Sequence, residues 1–228
     1  MSGITIAVDG PGSAGKGTVA RGVARALGYQ YIDTGSMYRA LALFALHKGV
    51  SWSDGPALAA LAAALRFHFR WDGDHLRVEV DEIDVTREIR DDAIGRGASD
   101  VSIHPEVRTT LVALQRALAR EGGVVMDGRD IGTVVLPDAA LKVFLDAGID
   151  ERAQRRHEEL LRRGEQLSFA HVRAGLEARD RQDTEREHSP LVAASDAIHL
   201  DTSDLTIRQA IDAVLALARE RERTRSAP

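Results

Sequence analysis

Apolar residues recur along this chain at two periods. Short unbroken runs mark buried strands. The first is Ile4-Thr5-Ile6-Ala7-Val8. Tyr29 to Ile32 is the second, ending at Asp33. Val124-Val125-Met126, Leu141 to Leu145 and Ala197 to Leu200 follow, ending at Asp127, Asp146 and Asp201. Helical periodicity lies between these runs. In Thr18 to Leu27, Val19, Val23 and Leu27 share one face, and Gly28 is the stop signal. Strands alternating with helices predict an α/β fold with a parallel sheet covered on both faces. Ligands in such folds sit at the carboxyl ends of the strands, where Asp9, Asp33 and Asp127 stand.

One region breaks the alternation. Phe67, Phe69 and Trp71 alternate with polar residues, as do Leu76, Val78 and Val80, with the turn signal Asp72-Gly73 between them. Ile83 and Val85 offer a third short strand. Helices at Met37–Lys48 and Pro56–Leu65 precede this antiparallel piece. It reads as an insert in the main fold, or else as a hairpin on the sheet edge. Asp150 to Arg186 is long-helical, broken near Gly164, and carries nine arginines: Arg152, Arg155, Arg156, Arg162, Arg163, Arg173, Arg179, Arg181 and Arg186. Its interspersed acids allow a solvated helix face. Beside a phosphate-binding loop, a lid that closes arginines over phosphates is the sharper reading. Leu205–Arg219 reads as an amphipathic closing helix, and the charged tail beyond it is expected to fray.

The chemistry is concentrated in Gly10-Pro11-Gly12-Ser13-Ala14-Gly15-Lys16-Gly17-Thr18, between the first strand and the first helix. That is the context of a phosphate-binding loop. Glycines let the backbone turn several N–H groups toward one phosphate chain, and the helix start adds its free N–H groups and positive dipole end. Lys16 supplies a mobile cation for the outer phosphates. The hydroxyl expected directly after the lysine comes one place later, at Thr18, where it suits a Mg²⁺ shell.

Composition narrows the setting. The 228 residues carry a net charge of −5, which gives no sign of a nucleic-acid binder. There is no cysteine, hence no disulfide or thiol chemistry, and no apolar run of membrane-spanning length. The chain enters a core strand almost at once, so no signal peptide is expected. These features point to a cytoplasmic protein. An Asn-Lys-x-Asp guanine-reading motif is absent, which argues against a GTP-driven switch. His104 and His188 have no neighbours in sequence that suggest a metal. Asp33 is either a helix cap or a catalytic group, and Asp127 either approaches Mg²⁺ through water or supports the loop. Arg108, read alone, lies on the solvent side of a helix whose Val107, Leu111, Leu114 and Leu118 face the core.

Several segments together resemble the bacterial cytidylate kinases, which are P-loop nucleoside monophosphate kinases. They are the phosphate loop, Asp33-Thr34-Gly35-Ser36-Met37-Tyr38-Arg39, Glu88-Ile89-Arg90 with Ala98-Ser99, and Arg108. Asp127-Gly128-Arg129-Asp130-Ile131-Gly132-Thr133, Arg179-Asp180-Arg181-Gln182-Asp183 and Ser189-Pro190-Leu191 complete the set. The Asp127–Thr133 stretch is the most diagnostic. Thr34 stands where many relatives have Ser, a change that keeps the hydroxyl.

The resemblance implies one P-loop kinase domain over 1–228, with a five-stranded parallel core flanked by helices, about 1–34, 101–150 and 187–221. A nucleotide-binding insert would span about 35–100 and a short lid about 151–186. It implies transfer of the ATP γ-phosphoryl group to CMP or dCMP with Mg²⁺, by a monomer that engages no nucleic acid and no membrane. Lys16, Arg129 and Arg186 would be catalytic, and Arg156 would join the phosphate loop at ATP. Thr34, Arg39, Ser99, Arg108, Arg129, Asp130, Arg179 and Asp183 would bind CMP. Thr18 would hold Mg²⁺, with Asp127 reaching it through water. No general base is expected, because the acceptor phosphate is already an anionic nucleophile.

Overall fold

The computed structural model describes residues 3–73 and 75–226. The elements run β1 (Thr5–Asp9), α1 (Lys16–Leu27), β2 (Gln30–Asp33), α2 (Thr34–His47), α3 (Gly55–Ala64) and β3 (Phe67–Asp72). Then come β4 (His75–Val80), β5 (Ile83–Asp84), α4 (Asp92–Val101), α5 (Pro105–Leu118), β6 (Val124–Gly128) and β7 (Leu141–Asp146). Last are α6 (Ile149–Arg162), α7 (Phe169–Glu185), β8 (Ile198–Asp201) and α8 (Ile207–Ser226). The chain forms two compact units, one of residues up to Tyr31 and from Gly122 onward, the other Ile32–Glu121.

The first unit is built on a five-stranded parallel sheet of order β2-β6-β1-β7-β8. β1 is central, so Ile6, Ala7 and Val8 have no exposed surface; beside it β6 is apolar through Met126, and β7 is apolar through Leu145 but for Lys142, which pairs with Asp196. Strands covered on both faces need near-continuous hydrophobic runs, which is what the sequence supplies. Helix α1 packs on α8, and Gly22 permits it: a Cβ there would lie 2.4 Å from the Ile211 side chain. Gly28 ends α1 in the left-handed conformation, at φ 67°.

The second unit packs α2 against α4 and α3 against α5. Trp52 donates its indole N–H to Ala42 O, and Gly97 leaves room for its ring. The antiparallel sheet β3-β4-β5 turns Phe67, Phe69, Leu76, Val78 and Val80 inward. The hairpin pairs Asp72 with His75, and Gly73 takes φ 56°; Asp74 lies outside the described residues.

Two boundaries differ from the sequence expectation. Helix α2 begins at Thr34 rather than Met37, because the Asp33 carboxylate accepts from Ser36 N and Ser36 Oγ. That is the cap reading of Asp33. Helix α8 runs on to Ser226 instead of fraying after Arg219, and Tyr29 tethers it by a hydrogen bond to Glu222.

Candidate active site

The phosphate loop gets its shape from residues that few side chains could replace. Gly10 has φ 147°, and a Cβ on it would sit 1.9 Å from Leu145 O on the neighbouring strand. Ser13 and Gly15 are also left-handed. Gly15 caps α1 without a side-chain hydrogen bond, so the cap leaves first-turn N–H groups of α1 to other acceptors. A loop that turns N–H groups inward turns carbonyls outward. Pro11 O, Gly12 O and Ala14 O meet side-chain donors: Lys16 Nζ lies 2.6 Å from the first, Arg152 NH1 3.2 Å from the second and Thr202 Oγ1 3.1 Å from the third.

Lys16 is buried, with 6% of its surface exposed. Burial, then the charge of Arg129, push its ammonium down to about 7, against the opposing pull of Asp127 and Asp9. Arg179 adds to the depression. Arg129 follows β6 and donates from Nε to Asp183 Oδ2 at 2.7 Å. Arg186 NH1 lies 3.7 Å from the other oxygen of Asp183. Burial works to raise the Asp183 carboxyl, yet the charges of Arg129, Arg179 and Arg186 outweigh it and hold it below the usual range. The first unit thus assembles Lys16, Arg129, Arg179 and Arg186 with Asp9, Asp127 and Asp183, and Asp183 braces the arginines.

Asp127 accepts from Tyr31 Oη at 2.8 Å, and its Oδ2 comes within 3.7 Å of where a Gly17 Cβ would be. That puts a carboxylate over the first turn of α1, one residue from the half-buried Thr18. Among the described residues no three His, Cys, Asp or Glu side chains form a metal cage. The donor set of one hydroxyl and one nearby carboxylate suits a hard cation that keeps substrate phosphates and waters as its main ligands.

In the second unit, Thr34 opens α2 and is buried. Arg39 donates to Ile89 O at 3.1 Å. Its guanidinium lies over Gly95 of α4, where a Cβ would come within 3.0 Å. Ser99 is half-buried on α4. Arg108 is not on a solvated face as its helix position suggests. It is 5% exposed, with NH1 at 3.5 Å from Ser102 O and its guanidinium 5.8 Å from the Tyr38 ring. Leu114 and Leu118, expected in the core, are half-buried. Asp130 is buried in the first unit, at the head of a π-helical turn, Ile131–Val135. Arg156 pairs with Glu159 on its own helix, and Arg155 NH1 lies 4.0 Å from a Gly15 Cβ position.

Three groups have partners that the sequence pattern did not indicate. Asp9 accepts from Ile131 N at 2.8 Å and Gly132 N at 2.7 Å, clamping the turn after Arg129 to the central strand. Burial pushes this carboxyl up to about 6 despite those two hydrogen bonds. Thr202 holds Ala14 O and is itself held by Arg155. Arg152 binds Gly12 O and Asp180 together.

A glycine-shaped anion cradle on a parallel sheet, backed by a buried lysine and an arginine cluster, defines a P-loop phosphotransferase. A family model described as cytidylate kinase matches residues 6–220. The cytidylate kinase of Desulfitobacterium hafniense is 47% identical over 221 residues, covering 97% of this chain and 95% of the relative. That of Pelotomaculum thermopropionicum is 50% identical over 212 residues, covering 92% and 94%. The chain belongs to the cytidylate kinase family. Among solved structures, an uncharacterized protein from Eubacterium ventriosum shares the fold at TM-score 0.50 and 12% identity, covering 95% of this chain and 98% of that one.

Proposed function

We propose that this chain transfers the γ-phosphoryl group of ATP to CMP or dCMP, releasing ADP and the nucleoside diphosphate. The observation that carries the reading is the state of Lys16. It is buried beside Arg129 and Arg179, and that burial and repulsion depress its ammonium. A phosphate chain seated in the loop would bring opposite charge to that cluster. The cradle of N–H groups from Gly10 to Thr18 takes the donor phosphates, and Lys16 follows the charge that migrates with the γ-phosphoryl group.

The acceptor is an anion too, so two polyanions must be held together against their repulsion. Arginine suits this task because its planar fork grips phosphate oxygens in pairs and stays charged. Arg39 and Arg129 are assigned to the acceptor phosphate, Arg186 to the transferring group, and Arg179 with Asp183 to the sugar. Ser99, Arg108 and Asp130 are assigned to the cytosine, and Thr34 lines the acceptor side. The family motif supports each role, and the burial of Thr34, Arg108, Asp130 and Asp183 adds to it. Thr18, with Asp127 through water, would hold Mg²⁺, whose charge offsets that of the donor phosphates when bound. The acceptor phosphate attacks unaided, so positioning and charge stabilisation carry the catalysis. Nucleotide substrates of this kind place the work in the cytoplasm.

The test is ADP formation from ATP with CMP, dCMP, UMP or AMP as acceptor. CMP and dCMP are expected to exceed the others in kcat/KM by roughly tenfold or more, the scale of one base-edge contact. Lys16→Ala should lower kcat by roughly a hundredfold or more. ADP formation no faster with CMP than with ATP alone would refute the reading.

A further inference from the structure

Arg152 is in the wrong place for an ordinary surface arginine. It sits in the first turn of α6, where the helix dipole opposes a cation, and Asp150 and Glu151 beside it are the residues a first turn favours. It is nevertheless buried, with 7% of its surface exposed. Its guanidinium donates to three groups of the surrounding fold. Nε donates to Ala147 O at 2.9 Å, at the end of β7. NH1 donates to Gly12 O at 3.2 Å and to Asp180 Oδ2. One planar fork therefore ties the sheet, the phosphate loop and α7 together.

Each end of that tie matters to the chemistry. Gly12 lies mid-loop, and its carbonyl must stay turned outward for the loop N–H groups to stay turned inward. The Arg129 guanidinium comes within 3.7 Å of where a Gly12 Cβ would be. Asp180 lies on α7 between Arg179 and Asp183, and its charge acts on Arg129. Its second oxygen is buried with no hydrogen-bond partner among the described residues, so Arg152 is what holds this carboxylate. Three residues along the same helix, Arg155 secures Thr202, which holds the loop carbonyl of Ala14. The face of α6 that carries 152 and 155 thus braces the loop from outside.

We infer that Arg152 and Asp180 are a positioning pair: together they fix the backbone of the phosphate loop against the helix that carries Arg179 and Asp183. Neither touches the reacting atoms. They hold the donor cradle and the arginine cluster at one fixed spacing, so that a phosphate chain seated in the loop meets the arginines without rearrangement. The inference deepens the proposed kinase function and rests on it for the kcat readout.

The experiment uses the full chain, with Arg152→Met, Arg152→Lys, Asp180→Asn and the Arg152→Met/Asp180→Asn double variant. ATP affinity is titrated without acceptor, and kcat is measured with saturating CMP. Arg152→Met and Asp180→Asn should each weaken ATP binding and lower kcat, by roughly tenfold or more in kcat/KM for ATP. The double variant should be no worse than about twofold below the poorer single, because the two residues act as one unit. Arg152→Lys keeps the charge but cannot span all three acceptors, so it should restore the thermal midpoint while leaving ATP affinity at least roughly threefold weak. If Arg152→Met does not fold, Arg152→Lys and Asp180→Asn decide the matter. ATP affinity and kcat within about twofold of the parent in both would overturn the pair, as would losses that multiply in the double variant. A parent chain that binds ATP but does not phosphorylate CMP would instead refute the proposed function, and the titration would still report on the pair.

Discussion

Asp9 makes a direct test of how burial and hydrogen bonding compete at this site. Its carboxylate accepts two backbone N–H groups, which ordinarily hold an acid well below its usual value. Here burial wins, and the group titrates at about 6 instead of 3.8. A folded-state value above the unfolded one means that the folded protein binds the proton more tightly. The associated stability is therefore fully present below pH 3.8 and is lost as pH rises through about 6. The whole difference corresponds to roughly 3 kcal/mol, of which roughly 1 kcal/mol falls between pH 5 and pH 7. Asp9→Asn cannot titrate. The absolute stability of that variant also reflects an amide facing one N–H, so the informative quantity is the difference between parent and variant as a function of pH. Urea unfolding of both proteins at several pH values across that range measures it. The parent should lose roughly 1 kcal/mol relative to Asp9→Asn on going from pH 5 to pH 7. A pH-independent difference would show that Asp9 is ionised throughout and that the two hydrogen bonds, not burial, govern it.

Two further outcomes follow from the arginine cluster and its lysine. At pH 8 a group titrating at about 7 is uncharged in roughly nine molecules of ten, and a seated phosphate chain favours its charged form. ATP binding should then take up roughly 0.9 proton, read by calorimetry as the slope of enthalpy against buffer ionisation enthalpy; a slope near zero, or one unchanged by Lys16→Met, contradicts this. Arg39→Lys and Arg129→Lys keep the charge and lose the fork, so kcat/KM for CMP should fall roughly tenfold, about 1.4 kcal/mol, with ATP affinity little changed. Loss of ATP binding instead would assign those arginines to the donor.

The parts of this fold that are legible in the sequence are those whose cause is local. Ile4–Val8 reads as a strand because a central parallel strand is apolar throughout, and the loop after it reads as a cradle because glycines cluster where the backbone must turn. Alternation in Phe67–Val80 gives the hairpin for the same reason. What the sequence hides depends on partners far along the chain. Asp9 meets Ile131 and Gly132, more than 120 residues away. Arg108 looks exposed on its own helix until Tyr38 and Ser102 receive it. Arg152 is one arginine among nine in its segment, and only its reach to Gly12 and Asp180 separates it from the rest. The start of α2 was open between Met37 and an Asp33 cap, because Gly35 and Ser36 are weak helix formers, and the cap outweighs them.

The packing of α1 on α8 has a consequence for biosynthesis. The ribosome delivers the chain from its N-terminus, so β1 and the phosphate-binding helix are made first. Their neighbours come late: β6 and β7 begin at Val124 and Leu141, and α8 at Ile207. Until those segments emerge, Ile6, Val8, Val19 and Val23 lack most of the neighbours that bury them. The unit Ile32–Glu121 is contiguous and can collapse as soon as it is complete. The phosphate loop is therefore among the first sequences translated, while the strands and the helix packed around its unit are among the last.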